Sequence, residues 1–536
     1  MAIRRAEPFY FGPTARPIFG WYHAPEGPCR DGVVLASSLG LEGTRSHWSY
    51  RHLAERLARA GLGVLRFDWT GTGDSGGDDH EPNRVKTWAS DLNLAIDELK
   101  RLTGAVRPTV VGVRVAATLA GHVAAERDDI GGLVLWMPAL NGAAWVTEMA
   151  KLHKLYLRIV PQAHAPEPDG EELLGSFASN ATIADLAAID LLALGRRPAP
   201  RILVIDQSPA RAVEQLRDRL AALDAQVEWR RGSGQKFLLT VPHKASLPEE
   251  SLSAIVDWVT AAPAGVGGSA VGELAAAPDL AVAPFGERAV RFGIDERIFG
   301  IVVSPSEPPP PERPAIVLLN AGAVNRSGPH RLYVTMARRW AALGFTVLRV
   351  DLSGIGDTAA PEGTIENLVY PRDGLSDIGA AIDFILGETG ARRVILAGLC
   401  SGADFTFQVA RRGAALAGAI MMNPRTFLEL NLARVEGPPD GAAEAASAST
   451  TESLRVTAGF QQISEQGLDA LLIVSQPDPG IDFVDRHAPE AMRNVGRLPG
   501  FRRIDIPGTD HTFTTIASQR QVEHTTSQYL LRHRAP

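Results

Sequence analysis

The chain has 536 residues, a net charge of −7, and 45% apolar against 21% charged residues. That length exceeds one ordinary core, so two or more domains are expected, and the composition is that of a soluble globular protein. The modest acidity leaves no nucleic-acid footprint, and no apolar run approaches the length of a membrane span.

The first residues carry Arg4 and Arg5 with no apolar segment behind them, so no signal peptide is expected and a cytoplasmic location is the default. The two cysteines, Cys29 and Cys400, are far apart and give no disulfide framework. No Cys/His cluster has metal-ligand spacing, so neither metal nor other cofactor is expected.

In chain order, Val33-Val34-Leu35 reads as a short buried strand and 52–61 as a helix ending at Gly61. Val64-Leu65-Arg66-Phe67-Asp68 is the next strand. It runs into Trp69-Thr70-Gly71-Thr72-Gly73-Asp74-Ser75, a turn whose glycines read as structural because nothing around them marks a phosphate site. Val110-Val111-Gly112-Val113 is another strand. Beyond Met137-Pro138 lies a long stretch with Trp145, Tyr156 and an amphipathic segment over 144–160. Ile202-Leu203-Val204-Ile205 follows as a strand. Residues 261–284 are rich in Ala, Gly and Pro, which is linker composition.

After that linker the pattern repeats. Strands are expected at 316–319, 346–350, 394–397, 418–422 and 470–474, with 501–506 a further one, and helices at 332–343, 375–386 and from 403. The offset is constant: 283 residues separate Val33 from Ile316 and Asp68 from Asp351. Ile18-Phe19-Gly20 is echoed by Ile298-Phe299-Gly300. A period this long is a whole domain, not a solenoid repeat. Two copies of one α/β fold are therefore expected, at 1–260 and 285–536, each a mostly parallel sheet flanked by helices. The second copy also carries an insert over 425–467. Its Glu436–Ser447 stretch cannot build a core, so the insert reads as a lid or a loose surface loop.

The chemistry concentrates in the second copy. Gly398-Leu399-Cys400-Ser401-Gly402 follows a strand and precedes a helix. Glycines two before and two after a nucleophile permit the sharp strand-to-helix turn that exposes its side chain, and the helix N-terminus favours a thiolate. A cysteine nucleophile needs a base, an orienting acid and oxyanion donors. Asp478 stands at the end of a strand in the proline-framed turn Gln476-Pro477-Asp478-Pro479 and is the favoured acid, with Asp482 its rival. His511, in Thr509-Asp510-His511-Thr512, follows the next strand and is the expected base. The backbone N–H groups of Ser401 and of Gly322 or Ala323, in the loop after the first core strand, are the expected oxyanion donors. The competing reading makes Cys400 a small buried hydrophobe on a turn.

The first copy serves as a control. An offset of 286 residues joins Pro138 to Pro424 and Arg114 to Cys400. Arg114 thus takes the nucleophile position, Ser208 falls opposite Asp478, and Gln235 opposite His511. An arginine cannot attack a carbonyl, and neighbouring Asp206 and His243 do not rebuild a triad without a nucleophile. The first copy is expected to be non-catalytic. Either it shields apolar surface of the second copy, or Arg114 contacts an anionic group of a substrate.

The strings NAGAVNRSGPHRLYVTMARRWAALGFTVLRVDLSGIGD, GLCSGADF, NPRTF and GTDHTF resemble α/β-hydrolase-superfamily proteins encoded with bacterial exopolysaccharide and exosortase systems. The elbow is also similar to that of dienelactone hydrolases and polyhydroxyalkanoate synthases. The resemblance spans nearly the whole second copy and only the framework of the first. It implies two tandem α/β-hydrolase domains with lid insertions and a covalent acyl-enzyme. It does not fix a substrate. The expected function is hydrolysis of a small-molecule ester or thioester, free or carrier-bound. The alternatives are acyl transfer from a thioester donor, which a cysteine suits because an acyl-cysteine and an acyl-carrier thioester are nearly isoenergetic, and a non-enzymatic scaffold.

Overall fold

The structure, a computed structural model, describes residues 6–160, 167, 169–207, 211–232, 236–263, 280–282, 285–413, 416–427, 451–476, 478 and 489–533. The chain divides into two compact units, Met1–Tyr156 with Pro166–Leu280 and Ala281–Pro536 with Leu157–Ala165.

The first unit holds β1 (Glu7–Phe11), β2 (Ile18–His23), β3 (Asp31–Ala36), β4 (Leu62–Phe67), β5 (Thr109–Val113), β6 (Gly132–Trp136), β7 (Gly170–Leu173), β8 (Ser176–Ser179), β9 (Arg201–Asp206) and β10 (Gln226–Arg231). Eight of them form one sheet in the order β1-β2-β4-β3-β5-β6-β9-β10, and β7-β8 is a separate hairpin. β2 pairs antiparallel with β1 and β4, and the ladder from β4 to β10 is parallel.

The second unit holds β11 (Leu280–Val282), β12 (Phe285–Phe292), β13 (Ile298–Pro305), β14 (Ala315–Leu319), β15 (Val347–Asp351), β16 (Val394–Leu399), β17 (Leu416–Met422), β18 (Asp469–Gln476) and β19 (Phe501–Pro507). Their order is β11-β12-β13-β15-β14-β16-β17-β18-β19. From β12 onward this repeats the first sheet strand for strand, including the antiparallel second strand and the crossover that places the third inside the fourth. The repeat in sequence is a repeat in topology.

Strands β14, β16 and β17 are buried along their whole length, as parallel strands covered on both faces must be. Helix Ser401–Ala410 packs on β16 and β17, and helix Gly374–Thr389 on β14. Val317, Leu319, Leu348, Val350 and Leu396 join Ile378, Ala381 and Ile385 in one apolar core.

Of the linker expected at 261–284, residues 264–279, 283 and 284 lie outside the described residues, and 280–282 form β11 at the edge of the second sheet. The insert expected over 425–467 is not all loop. Its latter part forms helix Thr451–Glu465, which buries Val456, Phe460 and Ile463. Those positions recur at helical spacing, and the Ala- and Pro-rich run before them hid the signal. Phe460 meets Phe407, Phe427 and Phe501 at ring-centroid distances of 5.2, 5.0 and 5.5 Å. Residues 428–450 lie outside the described residues.

Candidate active site

Cys400 stands between β16 and helix Ser401–Ala410 with φ 60° and ψ −121°. An L-residue there is strained by about 1–3 kcal/mol, so the surroundings must enforce it. The flanking glycines explain how. A Cβ on Gly398 would lie 2.2 Å from the Gly402 carbonyl carbon, and one on Gly402 would lie 2.7 Å from the Asn320 carbonyl oxygen. In this unit both places need glycine; the first unit's elbow keeps Gly112 but has Ala116 at the second place. The Cys400 N–H is anchored on the Met422 carbonyl at 3.0 Å.

His511 and Asp478 meet. Nδ1 of His511 donates to Oδ2 of Asp478 at 2.6 Å, and the carboxylate is buried. The other ring nitrogen, Nε2, is buried and has no hydrogen-bond partner among the described residues. Burial works against a charged imidazole here. The Cys400 sulfur and the Asp478 carboxylate outweigh it and push the His511 pKa up to about 10. Cys400 is thus near enough to act on the ring, although Sγ and Nε2 do not meet in an aligned hydrogen bond. Such bonds are often loose in empty sites and tighten on substrate. Asp482, Ser208 and Gln235 lie outside the described residues.

The N–H of Gly322, an expected oxyanion donor in the loop after β14, has a partner. It donates to the hydroxyl of Ser401 at 3.0 Å. The loop itself is pinned from below. The Arg326 guanidinium and N–H both bind Asp351, at 2.7 and 2.6 Å, and the guanidinium also reaches Asp357 at 2.8 Å. The Asn320 side chain donates to Val324 O at 2.9 Å and accepts from Leu352 N–H at 2.8 Å. The glycine-rich turn after β15 is therefore a carboxylate clamp, with Asp357 N–H on Asp351 Oδ2 at 3.0 Å. The first copy keeps the same clamp, Asp74 N–H on Asp68 Oδ2 at 2.9 Å.

Sequence reasoning missed several supporting residues. Asn423 follows β17 with φ 43° and joins three segments. Its side chain accepts from Ser475 N–H at 2.7 Å and donates to Ser475 Oγ and to the His511 carbonyl, both at 2.9 Å. Ser475 Oγ donates in turn to Asp510 O at 2.9 Å. Asn423 thereby ties the strand that leads to Asp478 to the loop that carries His511. Asp404, one turn beyond Cys400 and fully buried, accepts from Tyr370 OH at 2.6 Å and from Arg425, Thr426 and Phe427 N–H at 3.0–3.3 Å. Burial pushes its carboxyl up, and those four donors oppose the shift. Tyr333 OH accepts the Leu399 N–H at 3.0 Å beside the elbow. Asn423 was visible in sequence only as a register marker. Nothing in one chain marked the tyrosines.

In the first unit, Arg114 holds φ 57° and ψ −128°, and its N–H binds Trp136 O at 3.1 Å. The elbow persists without a nucleophile. The guanidinium donates to Glu42 Oε1 at 2.9 Å and to the Glu148 carboxylate. Glu42 also accepts from Ser38 Oγ at 2.8 Å and Trp145 Nε1 at 3.0 Å. Arg114 and Glu42 are buried, whereas Glu148 is partly exposed. The charge of Arg114 is already matched inside the domain.

Among the described residues, no group of three or more His, Cys, Asp or Glu side chains could hold a metal ion, and no helix is long and apolar enough to cross a membrane.

The strand order of the two sheets is that of two α/β-hydrolase-fold domains in tandem. Residues 39–227, most of them in the first unit, match the Hydrolase_4 family model, described as serine aminopeptidase, S33. The matched stretch carries Arg114 at the elbow. None of the curated proteins matches the chain. Among solved structures, the chain is similar to a dienelactone hydrolase from Anabaena variabilis (14% identity, 46% of this chain and 98% of that one, TM-score 0.32). It is also similar to Est1E from Butyrivibrio proteoclasticus with ferulic acid bound (16%, 47% and 96%, 0.35). A third likeness is to a proline iminopeptidase from Mycobacterium smegmatis (13%, 47% and 97%, 0.32).

Proposed function

We propose that the second unit is a cysteine-dependent hydrolase that cleaves an ester or thioester through an acyl-enzyme on Cys400. The observation that carries this reading is the His511–Asp478 contact of 2.6 Å, with Cys400 near enough to act on the same imidazole.

In the proposed cycle, His511 takes the Cys400 proton and Asp478 holds the resulting imidazolium by Nδ1–H. The thiolate attacks the carbonyl carbon, and the C=O electron pair moves onto oxygen. The N–H of Ser401, at the open end of its helix, faces that charge. The pair returns, the leaving alkoxide or thiolate takes the proton from His511, and the acyl group remains on sulfur. Water, deprotonated by His511, then releases the acid. In this scheme the first unit takes no chemical part.

The test is turnover of p-nitrophenyl acetate and of an acetyl thioester by the full chain. Cys400→Ala and His511→Ala should each lose at least about 100-fold in rate. A Cys400→Ala variant as active as wild type removes the proposal.

A further inference from the structure

We infer that the Ser401 hydroxyl is itself an oxyanion donor, which relays the Gly322 N–H to the substrate oxygen. This rests on the acyl-enzyme reading above and adds to it the group that completes the hole. Gly322 occupies the loop position from which the second backbone donor was expected, yet its N–H points at Ser401 Oγ, 3.0 Å away. Backbone and hydroxyl are both buried. The hydroxyl accepts that N–H and gives its own proton to no acceptor among the described residues. A hydroxyl that already accepts one hydrogen bond is polarised into a better donor for the next.

The surroundings leave room for this role. Gly322 has φ +59°, and no atom lies within 4 Å of where its Cβ would stand. The backbone there needs glycine, and open space adjoins it. Ser401 immediately follows Cys400, so its hydroxyl and its N–H start from the residue next to the attacking sulfur. The duplicate provides a contrast. Opposite Gly322 and Ser401 the first copy has Leu39, with φ −91°, and Val115. The domain with Arg114 at the elbow lacks the hydroxyl, and its left-handed glycine stands one place later, at Gly40 with φ 58°.

In the step itself, the new S–C bond forms as the C=O pair moves to oxygen. That oxygen accepts from Ser401 N–H and Ser401 O–H, while Ser401 Oγ accepts from Gly322 N–H. No proton leaves serine. When the tetrahedral carbon collapses, the pair returns and the hydroxyl resumes its resting contact.

Two reactions of Cys400 separate this role from others. Acylation by p-nitrophenyl acetate builds an oxyanion, whereas alkylation by iodoacetamide displaces iodide at a saturated carbon and builds none. In the full chain, Ser401→Ala should slow the p-nitrophenolate burst by on the order of 100-fold and leave the alkylation rate within about twofold. Ser401→Thr, which keeps the hydroxyl, should hold the burst within a few-fold of wild type. An unchanged or faster burst in Ser401→Ala would make the hydroxyl a placeholder and overturn the relay. So would equal losses in both reactions, or equal losses in the alanine and threonine variants. Turnover that survives Cys400→Ala instead overturns the acyl-enzyme reading beneath it.

Discussion

Cys400 and Arg114 share one backbone conformation at one place in two copies of the same fold, φ 60° and ψ −121° against φ 57° and ψ −128°. The residues that follow the next strand agree as well: Asn423 and Met137 both have φ 43°. The elbow is thus a property of the framework, set by the close approach of strand and helix, and the side chain placed on it decides what the domain can do. On one elbow a thiol faces an imidazole. On the other a guanidinium is neutralised by two carboxylates.

That neutralised cluster should be a structural element of the first unit. Arg114→Ala leaves the buried Glu42 without its cation, and the expected cost is about 3 kcal/mol. Denaturant unfolding should show a lower midpoint, while ester turnover per folded molecule stays at the wild-type level. An unmoved midpoint would mean that the pair contributes no net stability.

The charge on His511 predicts a pH dependence. In the folded protein its pKa lies at about 10, and in an unfolded chain near 6.5. A raised pKa means that the folded state holds the proton more tightly. The resulting stabilisation is fully present below about pH 6.5 and is lost as pH rises towards 10. The stability gap between wild type and His511→Gln should therefore narrow from pH 6.5 to 10, read from urea midpoints at several pH values. A gap that widens over that interval contradicts the assignment.

Asn423 should matter to both stability and rate. Its replacement by alanine strands the buried Ser475 N–H and removes two donated bonds. A cost of about 2 kcal/mol is expected. Because one of those bonds holds the His511 carbonyl, acylation should slow while KM changes little. Wild-type kinetics in Asn423→Ala would place the network outside the catalytic support.

Helix Thr451–Glu465 should behave as core. Phe460→Ala opens a cavity among Phe407, Phe427 and Phe501, and a loss of about 3–5 kcal/mol follows. Substitution of the exposed neighbour Gln461 by alanine should change stability by less than about 0.5 kcal/mol. Thermal unfolding of the two variants side by side tests the contrast.

Much of this was legible in the chain because it lies at strand ends. Cys400 and Asp478 each follow an apolar run by a few residues, His511 follows the next expected strand, and their order alone suggested roles. The repeat was legible because Asp68 and Asp351 sit in turns of the same composition. What stayed hidden depends on approaches between distant segments. Glu42 and Arg114 are 72 residues apart, and Gly322 and Ser401 are 79 apart. No local pattern announces such pairs. Helix Thr451–Glu465 was missed for a different reason: a polar, alanine-rich stretch set the tone for a whole insert whose end is apolar at helical spacing.

The central claim is that Cys400 forms a covalent acyl intermediate. The most direct test is intact-mass measurement of the full chain, quenched in acid within the first turnovers on p-nitrophenyl acetate, followed by peptide mapping. The account predicts one added acetyl group per chain, on the peptide containing Cys400, absent in Cys400→Ala and accumulating in a variant slow in deacylation. Turnover of the ester with no adduct on Cys400 at any time point, or with the adduct on another residue, would contradict it.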